Sequence, residues 1–337
     1  MAILDVRNLT VDFQLDDGGT LRAVDGTSFT IDTGEVLGLV GESGSGKSVT
    51  ALSIMRLLDS QAEITAGQIL FDGEDLVEKS EAEMRTIRGR RIGMIFQEPM
   101  TSLNPAYTVG DQVSEVFRHH LHMGFGESKA RAIEMLQRVK IPRAKETYGK
   151  FPHEFSGGMR QRVMIAIALA CGPDLLIADE PTTALDVTIQ AQVLSVIQDL
   201  QHDMGLALLF ISHDLEVVAQ LCDKVAVMYG ARIMEVSEST ELFTSPRHPY
   251  TDGLLRSIPR RGQPLTPIAG TIFDLRTPPD GCPFHPRCPY AEDRCRRETP
   301  VLRVLEPAAA SADTGDRRQA ACHFPLPGTS GADDRKA

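Results

Sequence analysis

"GESGSGKS", residues 41–48, is the stretch on which the fold turns. A glycine, four residues and then Gly-Lys-Ser is the phosphate-loop pattern, and it directly follows the apolar run EVLGLVG at 35–41. Glycines let backbone N–H groups close around phosphate oxygens, and the helix that follows presents its positive end to them. Gly41, Gly44 and Gly46 supply the turns, and Ser43, Ser45 and Val49 complete the cradle. Lys47 reaches toward terminal phosphates, and the Ser48 hydroxyl is placed to ligate Mg2+. These residues predict a nucleotide site at the end of a buried strand.

Two further stretches extend that site. LLIADE (175–180) is an apolar strand delivering Asp179 at its end, where a carboxylate holds magnesium, with Glu180 next to it to polarise an attacking water. EFSGGMRQR (154–162) opens the apolar helical run VMIAIALA with a serine and two glycines. Ser156, Gly157 and Gly158 thus form a second anion-seeking helix start. One phosphate loop with two such starts is resolved if a second subunit faces the first head to tail.

The pattern around these motifs is α/β. RIGMIF (91–96) and ALLFISH (207–213) join the runs above as buried strands. Between 175–179 and 207–213, Ile189, Val193, Val196, Ile197 and Leu200 make one helical face, and Gly205 suits its stop. Strand–helix–strand spacing predicts a largely parallel sheet covered by helices. KVAVMYGARIME reads as an antiparallel hairpin turning at Gly230, and residues 99–165 as mainly helical, with Ala132, Met135, Leu136 and Val139 on one face. We place a boundary near 258, a Cys-rich extension at 259–326, and a disordered tail at 327–337.

Composition narrows the function classes. The net charge of −11 and the lack of a basic run do not suggest a nucleic-acid partner. No basic-then-apolar leader and no 18-residue apolar stretch is present, which predicts a cytosolic chain that does not itself span a membrane. In that compartment the six cysteines are poor candidates for disulfides. Cys171 and Cys222 lie beside apolar stretches and read as buried and inert. Cys282, Cys288, Cys295 and Cys322 lie among prolines and arginines, in a segment short of core, where a metal would act as a staple. Their spacing lacks the close pairs of zinc sites, although His285 and His323 are on hand to complete one, and it matches no common ferredoxin pattern. Spacing alone leaves both metals open. Arg287 and Arg294 are candidates to offset the charge of a thiolate-ligated cluster.

In their order along the chain, GESGSGKS, MIFQEP, FSGGMRQR, LLIADEPTTALD and LLFISHD resemble the ATP-binding subunit of ABC transporters over the first 258 residues. The resemblance implies a P-loop ABC ATPase core with a mixed sheet, a small antiparallel part and a helical subdomain. It implies ATP and Mg2+ as ligands, with Gln97 a lid glutamine that senses magnesium and His213 a contact to the γ-phosphate. Ser156, Gly157 and Gly158 would touch ATP held by the opposite subunit, Asp186 would lie at the dimer seam, and Phe13 would stack on adenine. Met159 stands where the signature commonly has glutamine; hydrolysis is still expected, because Glu180 and His213 are present.

VGESGSGKSVT, FQEPMTSLNP, HPYTDGLLRSIP and the cysteine-bearing end are similar to ATPases of dipeptide, oligopeptide and nickel importers. That narrower resemblance implies a peripheral subunit on the cytoplasmic face of the inner membrane, paired with a second, different ATPase subunit. It further implies two membrane permease subunits, contacted through MTSLNP, and an extracytoplasmic binding protein feeding them. By the same resemblance the four late cysteines hold a [4Fe–4S] cluster, with zinc as the alternative. The other functional readings are a soluble ABC ATPase outside transport and an importer of nickel or another small solute.

Overall fold

The computed structural model describes residues 1–97, 102–183, 185–259, 266–305 and 318–327. Met100 and Thr101 of MTSLNP and the expected tail beyond 327 lie outside the described residues. Three strands open the chain's described elements: β1 (Ala2–Gln14), β2 (Thr20–Asp32) and β3 (Val36–Val40), followed by helix α1 (Lys47–Ile54). Then come β4 (Ala62–Phe71), β5 (Glu74–Asp75), α2 (Glu81–Ile87) and β6 (Ile92–Ile95). The helical part holds α3 (Val109–Leu121), α4 (Phe125–Arg138), α5 (Ala144–Thr147) and α6 (Gly157–Leu169). The chain continues through β7 (Leu175–Asp179), α7 (Val187–Met204), β8 (Ala207–Ser212) and α8 (Leu215–Leu221). Next are β9 (Lys224–Tyr229), β10 (Arg232–Glu238), α9 (Ser239–Thr244) and α10 (Pro249–Arg256). The extension adds α11 (Asp293–Arg297), β11 (Arg303–Val304) and β12 (Gln319–Ala320).

Two sheets result. One is antiparallel, in the order β2-β1-β4-β5; the other runs β11-β12-β10-β9-β3-β8-β7-β6, parallel from β9 to β6 and antiparallel beyond. The strands predicted from apolar runs form the parallel centre, and their alternation splits two cores. Val36, Val40, Leu208, Phe210, Leu176 and Ala178 face the helices, whereas Leu37, Leu39, Leu209, Ile211, Leu175 and Ile177 face the antiparallel sheet and α1. Burial on both faces explains why these strands read as continuous apolar runs. The hairpin turns at Gly230 and Ala231, both at positive φ, and Gly205 ends α7 in the left-handed conformation.

The extension does not form a core of its own. Its strand β12 pairs with β10, and Cys282, Phe284 and Cys295 are buried in the same core as the helical side of the large sheet. Residues 266–305 are too poor in regular structure and apolar area to bury themselves, so they complete the edge and core of the larger unit. None of the described helices is long and apolar enough to cross a membrane.

Candidate active site

The loop between β3 and α1 is shaped around Lys47. Gly46 sits at φ 104°, and a Cβ there would collide with the Ala23 carbonyl, so only glycine suits the position. Lys47 is 5% exposed, and its ammonium donates to the carbonyls of Gly41 (2.9 Å) and Glu42 (3.0 Å). Burial pulls its pKa below the usual lysine value, while the carboxylates of Glu180, Asp179 and Glu42 work against that shift. The charge is therefore held inside the loop. Helix α1 has Gly46 as N-cap with no side-chain cap, which leaves its first N–H groups without a side-chain acceptor, as an anion site requires.

Residues far apart in sequence converge beside that loop. The Ser48 hydroxyl donates to the Asp179 carboxylate at 3.0 Å. Burial raises the Asp179 pKa and the Ser48 hydrogen bond lowers it; the hard oxygen pair suits Mg2+, whose charge would favour the ionised form. Glu180, the first residue past β7, has φ 45°, a sparsely populated conformation for a non-glycine residue. Its Oε2 accepts from Gln97 Nε2 (3.1 Å) and Thr183 Oγ1 (2.8 Å), and His213 Nδ1 lies 3.4 Å away. His213 is 65% exposed at the end of β8, where a ligand can engage it. Thr183 was not among the residues singled out from sequence, since a threonine three places past a carboxylate has no signal of its own.

The second anion-seeking element stands apart. Ser156 caps α6 by accepting from the Met159 N–H at 3.4 Å, and Asp186 caps α7 by accepting from the Ile189 N–H at 3.0 Å. Ser156, Gly157 and Asp186 are exposed, as is Val187, at 83%. Gly158 is buried where α6 meets α7, and a Cβ there would collide with Ile189 Cγ2. Gly158→Ala is therefore expected to destabilise the chain by about 1–3 kcal/mol, the usual cost of overpacking. A thermal unfolding midpoint that does not fall would contradict this packing. Phe13 lies on β1 opposite Leu21, half-buried against the second core, with part of its ring open to solvent. Phe155 is buried and Met159 packs on the first core, so these departures from the usual signature are satisfied by apolar contacts.

The four late cysteines line one largely enclosed cavity walled by Phe284, Tyr290 and other apolar groups. Burial pushes the thiols of Cys282 and Cys322 up, to about 12 and about 11. Among the described residues no three His, Cys, Asp or Glu side chains converge on a single-ion site, and His285 and His323 each engage a backbone carbonyl, of Cys282 and Glu298. Each histidine keeps its other ring nitrogen, and both line the cysteine cavity. The two arginines next to the cysteines each pair with a carboxylate. Arg287 pairs with Glu42, and Arg294 pairs with Glu298 at the surface. Cys222 is buried and Cys171 partly so, and burial raises both pKa values.

A phosphate loop, a strand-end Asp–Glu pair, and a glutamine and histidine meeting on that glutamate define a nucleoside-triphosphate hydrolase of the ABC class. A family model described as ABC transporter matches residues 24–183, and one described as oligopeptide/dipeptide transporter, C-terminal region, matches 234–295. The dipeptide transport ATP-binding protein DppD of Escherichia coli is 47% identical over 97% of this chain and 98% of its own length. DppD of Bacillus subtilis is 51% identical, over 88% and 90%. A dimeric ATP-binding cassette bound to ADP and phosphate superimposes with a TM-score of 0.63 at 26% identity, covering 70% of this chain and 98% of that one. The chain belongs to the ABC transporter ATP-binding proteins, in the oligopeptide/dipeptide branch, and is an ATPase.

Proposed function

We propose that this chain hydrolyses ATP to power uptake of di- or oligopeptides, as one of two ATPase subunits seated on the cytoplasmic face of a pair of membrane permeases. The observation that carries the catalytic part is the Glu180 carboxylate, held by Gln97 and Thr183 beside Asp179 and Lys47. In this reading Lys47 and the loop N–H groups bind the β- and γ-phosphates, and Ser48 and Asp179 would hold Mg2+, which would offset phosphate charge. Glu180 takes a proton from the attacking water, and His213 steadies the γ-phosphate. Ser156, Gly157, Asp186 and the bare Val187 form a solvent-facing edge suited to a second ATPase subunit, which would complete the site across the seam.

Four thiols sharing one cavity, together with the resemblance of the cysteine-bearing end to importer ATPases that carry such a cluster, favour a [4Fe–4S] cluster over zinc. Cys282, Cys288, Cys295 and Cys322 would hold it. The cluster would supply a structural staple, tying the extension to the sheet edge at β12.

The test is reconstitution in liposomes with the permeases and the partner ATPase, fed by the binding protein loaded with a dipeptide. Dipeptide-stimulated ATP hydrolysis with dipeptide uptake is the expected result. Uptake driven by nickel chelates alone would replace the substrate class, and ATP turnover that never couples to any membrane subunit would leave a soluble ABC ATPase.

A further inference from the structure

Glu42 is an acid inside a loop that reads as built for polyanions, and its partner comes from the far end of the chain. Arg287, one residue before Cys288, is 5% exposed and grips the Glu42 carboxylate with both terminal nitrogens, at 2.7 and 3.2 Å. The guanidinium is itself fixed. Its Nε donates to the Ala269 carbonyl at 3.0 Å, and its plane lies 5.7 Å from the Tyr229 ring centroid. Glu42 is held at its other end too, its backbone N–H donating to the Tyr250 hydroxyl at 3.0 Å. Phe284, a wall of the cysteine cavity, packs against Tyr229 and Tyr250 at 5.3 Å from each ring. A packed path thus runs from the thiols through Phe284 and Arg287 to Glu42, whose carbonyl receives the Lys47 ammonium.

We propose that Arg287 is a positioning residue for ATP: it neutralises and fixes Glu42, so that the cysteine-bearing extension sets the nucleotide affinity of the phosphate loop. This rests on reading residues 41–48 as the ATP-binding loop. An unpaired carboxylate a few residues from bound phosphates repels them, and a swinging Glu42 loosens the carbonyls that hold Lys47. Bidentate arginine–carboxylate pairing removes both costs, and lysine reproduces it only in part.

The experiment is equilibrium binding of a fluorescent ATP analogue to the full-length chain, with protease resistance of the extension followed alongside. Arg287→Met is expected to weaken binding about tenfold, the measure of losing a charged hydrogen-bonded pair. Arg287→Lys is expected to weaken it about threefold. Adding Glu42→Gln to Arg287→Met removes the stranded charge and is expected to restore affinity to within about threefold of the native chain, a coupling that independent sites do not show. The proposal is overturned if Arg287→Met binds as the native chain does. It is equally overturned if binding is lost together with protease resistance and Glu42→Gln restores neither, since Arg287 would then only prop the extension. Lys47→Ala separates the two readings: if it leaves binding intact, the ATP-loop assignment itself fails.

Discussion

Glu180→Gln is expected to lower steady-state ATP turnover by about 10²- to 10⁴-fold, the range spanned by removal of a positioned general base, while ATP stays bound. Glutamine keeps the shape of glutamate and an oxygen to accept from Gln97 and Thr183, so the local hydrogen bonds at 3.1 and 2.8 Å survive. What it loses is the capacity to take a proton. The left-handed backbone at residue 180 is fixed by its neighbours, its N–H donating to the Ile211 carbonyl at 3.0 Å, so the substitution does not relocate the side chain. The expected signature is a fall in kcat with an unchanged dissociation constant for ATP, as follows when an interaction made only in the transition state is removed. ATP-dependent association with the partner ATPase, followed by size-exclusion chromatography, is expected to persist longer than in the native chain. Turnover within about fivefold of native would mean that another group accepts the proton. The exposed His213, 3.4 Å from Glu180, then becomes the first residue to test.

How much of this was legible in the sequence follows from how local each signal is. The strands β3, β7 and β8 announce themselves because both faces are buried, and α7 because five apolar residues keep one face. The loop 41–48 and the strand-end pair Asp179–Glu180 are short motifs whose chemistry is contained in the motif. The linkage of Glu42 to Tyr250 and Arg287 spans 208 and 245 residues, and no periodicity encodes contacts of that kind. The sequence therefore places Arg287 beside its neighbouring cysteines and gives no sign of the carboxylate from the other end of the chain that it grips. The extension was harder for a related reason. Strands of two residues, such as β11 and β12, carry no alternation, and a segment that borrows its core shows too few apolar residues to reveal where it packs. Which metal the four cysteines would hold is the part that spacing alone leaves undecided.

The cysteine cavity carries the second large effect. Purified without oxygen, the native chain is expected to hold about four irons and four sulfides, and Cys288→Ser to hold less than about half of that, as loss of one ligand of four weakens the site. The structural consequence reaches well beyond the cavity. Cys282 and Cys295 sit in the main core, Cys322 lies just past β12 at the sheet edge, and Arg287 adjoins Cys288. Releasing the staple frees a segment that has little regular structure of its own, so proteolysis within 266–305 is expected to accelerate before the parallel sheet unfolds. If Arg287 holds Glu42 as proposed, the same variant also weakens nucleotide binding, although no cysteine touches the phosphate loop. Cys171→Ser, at a residue that does not line the cavity, is expected to change neither metal content nor proteolysis. Full metal content in Cys288→Ser would remove Cys288 from the ligand set. One zinc per chain without sulfide would replace the cluster by a single ion. The ATPase assignment survives either outcome, because Lys47, Ser48, Asp179 and Glu180 come from the phosphate loop and from β7 and its end, and none of them is a ligand in the cysteine cavity.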